Sequence, residues 1–123
     1  MKSQRMPSNL TKNGKGQKLW KDLTERVEFT DVELRTLENA CYTVDRIAKE
    51  RRAIGDNLIV AGSQGQDVAH PLLVHLRADE KHLAELLARL DIPDESDGSG
   101  SAGQRSAQMR QVAANRWATA YGG

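Results

Sequence analysis

Two long helical stretches of this 123-residue chain are separated by a segment that neither helix can absorb. Thr30 to Ile54 and Pro71 to Leu90 both show apolar residues at helical spacing, yet sixteen residues, Gly55 to His70, lie between them. A turn of a few residues suffices to fold one helix back on another. The excess has a pattern of its own. Asn57-Leu58-Ile59-Val60-Ala61 is short, β-branched and bounded by Asn57 and Gly62. Gln66 to His70 can return beside it after Ser63-Gln64-Gly65. This predicts a small β-hairpin or an extended elbow. A two-stranded ribbon alone is marginal in water, so it is expected to pack on the helices or on a neighbouring subunit.

The helix before the elbow has a legible start. In Thr30-Asp31-Val32-Glu33 the threonine hydroxyl can accept from the Glu33 amide while the Glu33 carboxylate reaches back to the Thr30 amide, a capping box. Leu34, Leu37, Cys41, Val44 and Ala48 follow at alternating spacings of three and four, widened by Ala40, Ile47 and Ile54. Gly55 is placed as a left-handed cap. After the elbow, Pro71 suits the first helical position, where its missing N–H costs nothing. His70 then stands where a helix cap belongs, so its expected role is conformational. Leu72, Leu73, Leu76, Leu83, Leu86, Leu87 and Leu90 form a leucine face that Pro93 ends. A shorter helix is expected from about Gly16, with Leu19, Trp20, Leu23 and Val27 on one face and Trp20 as a core anchor.

The remaining sequence divides the chain. Residues 1–14 read as a disordered basic tail, 15–93 as the helical domain and 94–103 (DESDGSGSAG) as a flexible linker. Residues 104–123 read as a basic tail, helical on docking, with Met109, Val112, Ala113, Arg116, Trp117, Ala120 and Tyr121 on one face. The fold class is therefore mainly α: a hairpin of two long helices, a shorter N-terminal helix and a small β-hairpin elbow. So slender an object leaves its leucine face and its widened second stripe uncovered, which favours a homo-oligomer. Leu58, Val60, Val68, Leu76 and Leu83 are the candidate oligomerisation residues.

Enzymatic chemistry finds little footing. Cys41 is the only cysteine, which excludes an intramolecular disulfide, and its place in the apolar stripe suits a buried hydrophobe better than a reactive thiolate. His75, Asp79 and His82 share a helix face, but a metal needs more ligands, and this face reads as solvated. Asn13-Gly14-Lys15-Gly16 lacks the spacing and the preceding strand of a phosphate loop. No nucleophile–base pair or catalytic carboxylate pair stands out. A non-enzyme without metal or cofactor is expected. No apolar run reaches the ~18–20 residues of a membrane span, and a soluble, intracellular protein is expected.

Charge gives the positive lead. The balanced total hides basic ends around a mildly acidic centre. Residues 1–26 carry Lys2, Arg5, Lys12, Lys15, Lys18, Lys21 and Arg26 against Asp22 and Glu25 alone, and residues 104–123 carry Arg105, Arg110 and Arg116 with no acid. Lys12, Lys15, Lys18 and Lys21 recur every third residue into the first helix, while Arg46, Lys49, Arg51 and Arg52 gather at the end of the second. Repeated around an oligomer, such groups make a track for a polyanion. Lys12, Lys15, Lys18, Lys21, Arg46, Lys49 and Arg52 are the candidate DNA-binding residues.

Taken together, several segments resemble the small terminase subunits of tailed double-stranded DNA phages and their prophages. They are Leu19-Trp20; Leu37-Glu38-Asn39-Ala40-Cys41 with Asp45-Arg46-Ile47; Gly62-Ser63-Gln64-Gly65-Gln66 leading to His70-Pro71-Leu72-Leu73; and Leu86-Leu87-Ala88-Arg89-Leu90-Asp91-Ile92-Pro93. The resemblance covers roughly residues 16 to 95 and rests on the combination rather than on any single motif. Asp91 stands where many relatives have Gly. The resemblance implies a DNA-packaging factor without enzymatic activity, assembled as a ring in the cytoplasm of a bacterial host. Its implied partners are double-stranded viral DNA and the large terminase subunit, whose ATPase and nuclease it would regulate. Arg105, Arg110, Arg116 and Trp117 are candidates for docking DNA or that subunit. A helical adaptor or regulator of a phage or mobile element, with no role in DNA binding, is the alternative from another class.

Overall fold

A computed structural model describes residues 4–92 and 107–122. Among them are four helices and one antiparallel strand pair: α1 (Lys15–Arg26), α2 (Asp31–Ile54), β1 (Ile59–Ala61), β2 (Asp67–Ala69), α3 (Leu72–Ala88) and α4 (Ala107–Gly122). The mainly helical class, the two long helices and the small hairpin agree with the sequence. Arg105 and the linker 94–103 lie outside the described residues.

Each local signal has a structural counterpart. The capping box at α2 is formed in both directions, Glu33 N–H to Thr30 Oγ1 at 3.2 Å and Thr30 N–H to Glu33 Oε1 at 3.0 Å. Gly55 ends α2 with φ 53° and ψ −129°, a positive φ but not the left-handed helical cap expected. Pro71 sits one position before α3 rather than inside it. His70 does the capping: its Nδ1 accepts from Leu72 N–H at 3.1 Å, its carbonyl accepts from Leu73 N–H at 3.0 Å, and its own N–H donates to Leu58 O at 2.8 Å. One residue thus closes the ribbon and starts the helix.

The core lies where α1, α2, α3 and α4 meet, around Leu19, Leu23, Leu37, Val44, Ile47, Leu83 and Leu87. Helix α1 is seated on α2 by a close backbone approach at Gly16. A Cβ there would lie 2.6 Å from Asp45 Oδ1 and 2.7 Å from the Cys41 carbonyl oxygen. Asp45 supplies the cap that Gly14 lacks, accepting from Gly16 N–H at 3.2 Å and from Thr11 N–H at 2.7 Å. Carboxylates are favoured at the positive end of a helix dipole.

Two expectations are corrected. Residues 4–14 are held against the bundle rather than running free. Gln4 donates from Nε2 to Thr24 O and Val27 O at the end of α1 and accepts from Phe29 N–H, its carbonyl takes the Trp20 indole N–H, and Leu10 is buried. The leucine face of α3 is likewise covered rather than bare. Helix α4 runs back along α3 with Gly122 against Leu83, and within a single chain Leu83 is fully buried and Leu76 nearly so. The buried side of α4 is Ala113, Ala114, Tyr121 and Gly122, with Trp117 and Ala118 half-buried. Val112, Arg116 and Ala120, expected on the docking face, are exposed. Small residues let α4 approach closely, which a search for large apolar periodicity does not detect.

Candidate nucleic-acid interface

The basic groups of α1 project from the side of the helix opposite its core contacts. Leu19, Trp20 and Leu23 are buried, whereas Lys12, Lys15, Lys18 and Lys21 are all exposed. No acid stands in the first turn of α1. Cations are disfavoured there by roughly 0.3–1 kcal/mol each, because they meet the positive end of the helix dipole. The bundle accepts these lysines by spending Asp45, drawn from α2, on the helix start. Toward the other end of the helix, Asp22 accepts from the Tyr121 hydroxyl and Arg26 lies over the Trp117 ring at 5.4 Å. Those contacts dock α4, so the unbroken basic surface belongs to the first half of α1 and the turn before it.

The second basic group is differently placed. Arg46 forms a two-pronged bond to Asp79 on α3, Nε and Nη2 each 3.0 Å from a carboxylate oxygen. Arg51 donates to Glu80 at 2.8 Å and to the Gly122 carbonyl at 2.7 and 3.1 Å. These two arginines join helices. Lys49 and Arg52 remain exposed, Arg52 with a long 3.4 Å bond to Ala48 O. Of the C-terminal candidates, Arg116 is exposed, and Trp117 is half-buried and stacked on Tyr121 with centroids 5.7 Å apart. Arg110 lies in α4, and its side chain is outside the described residues.

Beside the Arg46–Asp79 bond sits Glu50, 9% exposed, with no hydrogen-bond partner for its Oε1 among the described residues. Burial, and then the neighbouring Asp79, push the Glu50 carboxyl above its usual range, while the Arg46 guanidinium holds Asp79 below its own. His75 and His82 are exposed, and no group of three or more metal-ligating side chains forms among the described residues. Cys41 is fully buried and burial drives its thiol far upward, the opposite of an activated nucleophile.

The ribbon stands away from the bundle, its strands in contact with each other and with no helix to a comparable extent. Its register pairs Ile59 with Ala69, Val60 with Val68 and Ala61 with Asp67. Gly65 turns the loop with φ 80°. Val60 and Val68, candidates from the sequence, are half-buried opposite each other, and Leu58 is 57% exposed. The most open apolar group of the ribbon is one the sequence did not single out, Ile59 at 66%, on the other face with Ala61 and Ala69. Val74 at 73%, early in α3, is exposed as well. In a three-residue strand no alternation can be read before the register is known.

None of the protein-family models, curated proteins or solved structures compared with the chain matches it. No described helix is long and apolar enough to cross a membrane.

Proposed function

We propose that this chain is an assembling DNA-binding factor of the small-terminase kind, acting in genome packaging without catalytic chemistry of its own. The observation that carries the DNA-binding part is the run of Lys12, in the turn before α1, and Lys15, Lys18 and Lys21 on it, all exposed, with no acid in the helix's first turn. Each phosphate that such a lysine neutralises releases counterions, and copies placed side by side multiply the effect. The packaging role and the large-subunit partner rest on the sequence resemblance alone.

The ribbon is the joining element in this reading. His70 N–H bonds Leu58 O and Gly62 N–H bonds Gln66 O, so the alternation of an antiparallel pair turns the backbone groups of Ile59 and Ala61 to the outer edge. No charge or proline protects that edge, which makes it a template for another strand. Leu58 and Ile59 add exposed apolar surface to that edge, so the ribbon is the part of the chain best suited to meet another copy's strand.

Binding to duplex DNA at low and moderate salt tests this. Replacing Lys15, Lys18 and Lys21 with Glu is expected to abolish binding while leaving the mass by light scattering unchanged. Unaltered affinity at low salt refutes the assignment. A change in ATP hydrolysis or DNA cleavage by a cognate large subunit on adding the protein tests the packaging role.

A further inference from the structure

The groove that α4 fills is a receptor for a helix of defined chemistry. Three contacts define it. At Gly122 an added Cβ would lie 2.8 Å from Leu83 Cδ2 and 3.4 Å from Ile47 Cδ1, so the helix end sits close enough that any larger residue would push the Leu83 side chain aside. The Arg51 guanidinium bonds the Gly122 carbonyl through two nitrogens and Glu80 through one of them, capping the negative end of α4. Tyr121 donates to Asp22 and Trp117 lies under Arg26, fixing rotation about the helix axis.

The connection to that helix is longer than a return along α3 requires. Helices packed in a bundle are joined by about 2–8 residues. Eighteen, 89–106, separate Ala88 from Ala107. The part after Ile92 spans at most about 50 Å when extended, against roughly 36 Å for the length of α2. A connection of that reach does not tie α4 to its own groove, and every contact named above joins α4 to groove residues that a second copy also presents. Exchange of an identical element between copies costs little when contacts are conserved. Copies already held side by side also present their grooves at high effective concentration.

We infer that α4 is exchanged between copies in the assembled state, so that the α2–α3 groove of one chain receives the C-terminal helix of the next. This rests on the assembly part of the proposed function. Ala84 and Ala118 line one small cavity at the α3–α4 seam, which gives a direct probe. Ala84→Cys chains and isotopically heavy Ala118→Cys chains are assembled together, oxidised and weighed under denaturing conditions. Chains with only the buried Cys41 serve as the control. The expected result is a disulfide-linked pair of one light and one heavy chain, lost when Arg51→Ala is added to the Ala84→Cys chain.

If the double variant Ala84→Cys/Ala118→Cys closes only internal disulfides, and the mixed single variants stay uncoupled, exchange is overturned. The assembly reading then stands if light scattering still reports an oligomer. A monomer mass at every concentration overturns both.

Discussion

Gly16 and Gly65 show how one residue type meets two demands. At Gly16 the constraint is space, since a Cβ would press on Asp45 Oδ1 and the Cys41 carbonyl. At Gly65 it is backbone, φ 80° with nothing within 4 Å of the added atom. Alanine at Gly16 is expected to cost about 1–3 kcal/mol by overpacking, and at Gly65 about 1–2 kcal/mol by left-handed strain, read by urea unfolding. Repeated in an Asp45→Ala background, the Gly16 cost should fall but persist, because the Cys41 carbonyl stays, and the Gly65 cost should not move. Glu50 carries a pH signature. Its folded pKa is raised, so its contribution is full below the ordinary glutamate range near pH 4.3 and fades as pH climbs through the folded value. Asp79, lowered by Arg46, works the other way and fails only on acidification. Glu50→Gln keeps a donor toward Asp79 without the buried charge. Its stability advantage over the parent chain should therefore grow from pH 4 to pH 8, to about 1 kcal/mol.

At the scale of elements, His70 couples two structures that are usually independent. Its side chain starts α3 and its backbone closes the ribbon at Leu58. His70→Ala should cost about 1 kcal/mol as a lost cap and raise amide exchange in α3's first turn, leaving the ribbon register intact because the backbone bond to Leu58 does not need the imidazole. Signals of this local kind were legible before the fold was known: the Thr30–Glu33 box, the His70-Pro71 start, the glycines around the hairpin. What escaped reading acts at a distance. Gln4 satisfies carbonyls twenty and twenty-three residues away, and α4 binds through Ala114, Ala118 and Gly122, four residues apart on one face but too small to stand out as an apolar stripe. Such surfaces acquire meaning only from what they face.

For the whole molecule, the leucine face of α3 changes its significance. Read along the chain it calls for a partner copy, whereas in the fold α4 lies against it, and the large apolar groups left exposed among the described residues are Val32, Leu58, Ile59, Val74 and Val112. The candidate site follows the same division. The exposed lysines of α1 could be anticipated from spacing, but the commitment of Arg46 and Arg51 to Asp79, Glu80 and Gly122 could not, because it depends on how α2, α3 and α4 meet. The seam between α1 and α2 also contains a clock. Cys41 is the sole thiol, wholly covered, with its carbonyl against Gly16. An alkylating reagent can reach it only when the first helix lifts, so the labelling rate counts those departures. It should be slow in the intact chain and at least tenfold faster in Gly16→Ala. If DNA clamps the lysine-bearing helix in place, the same single sulfur should tick more slowly with DNA bound.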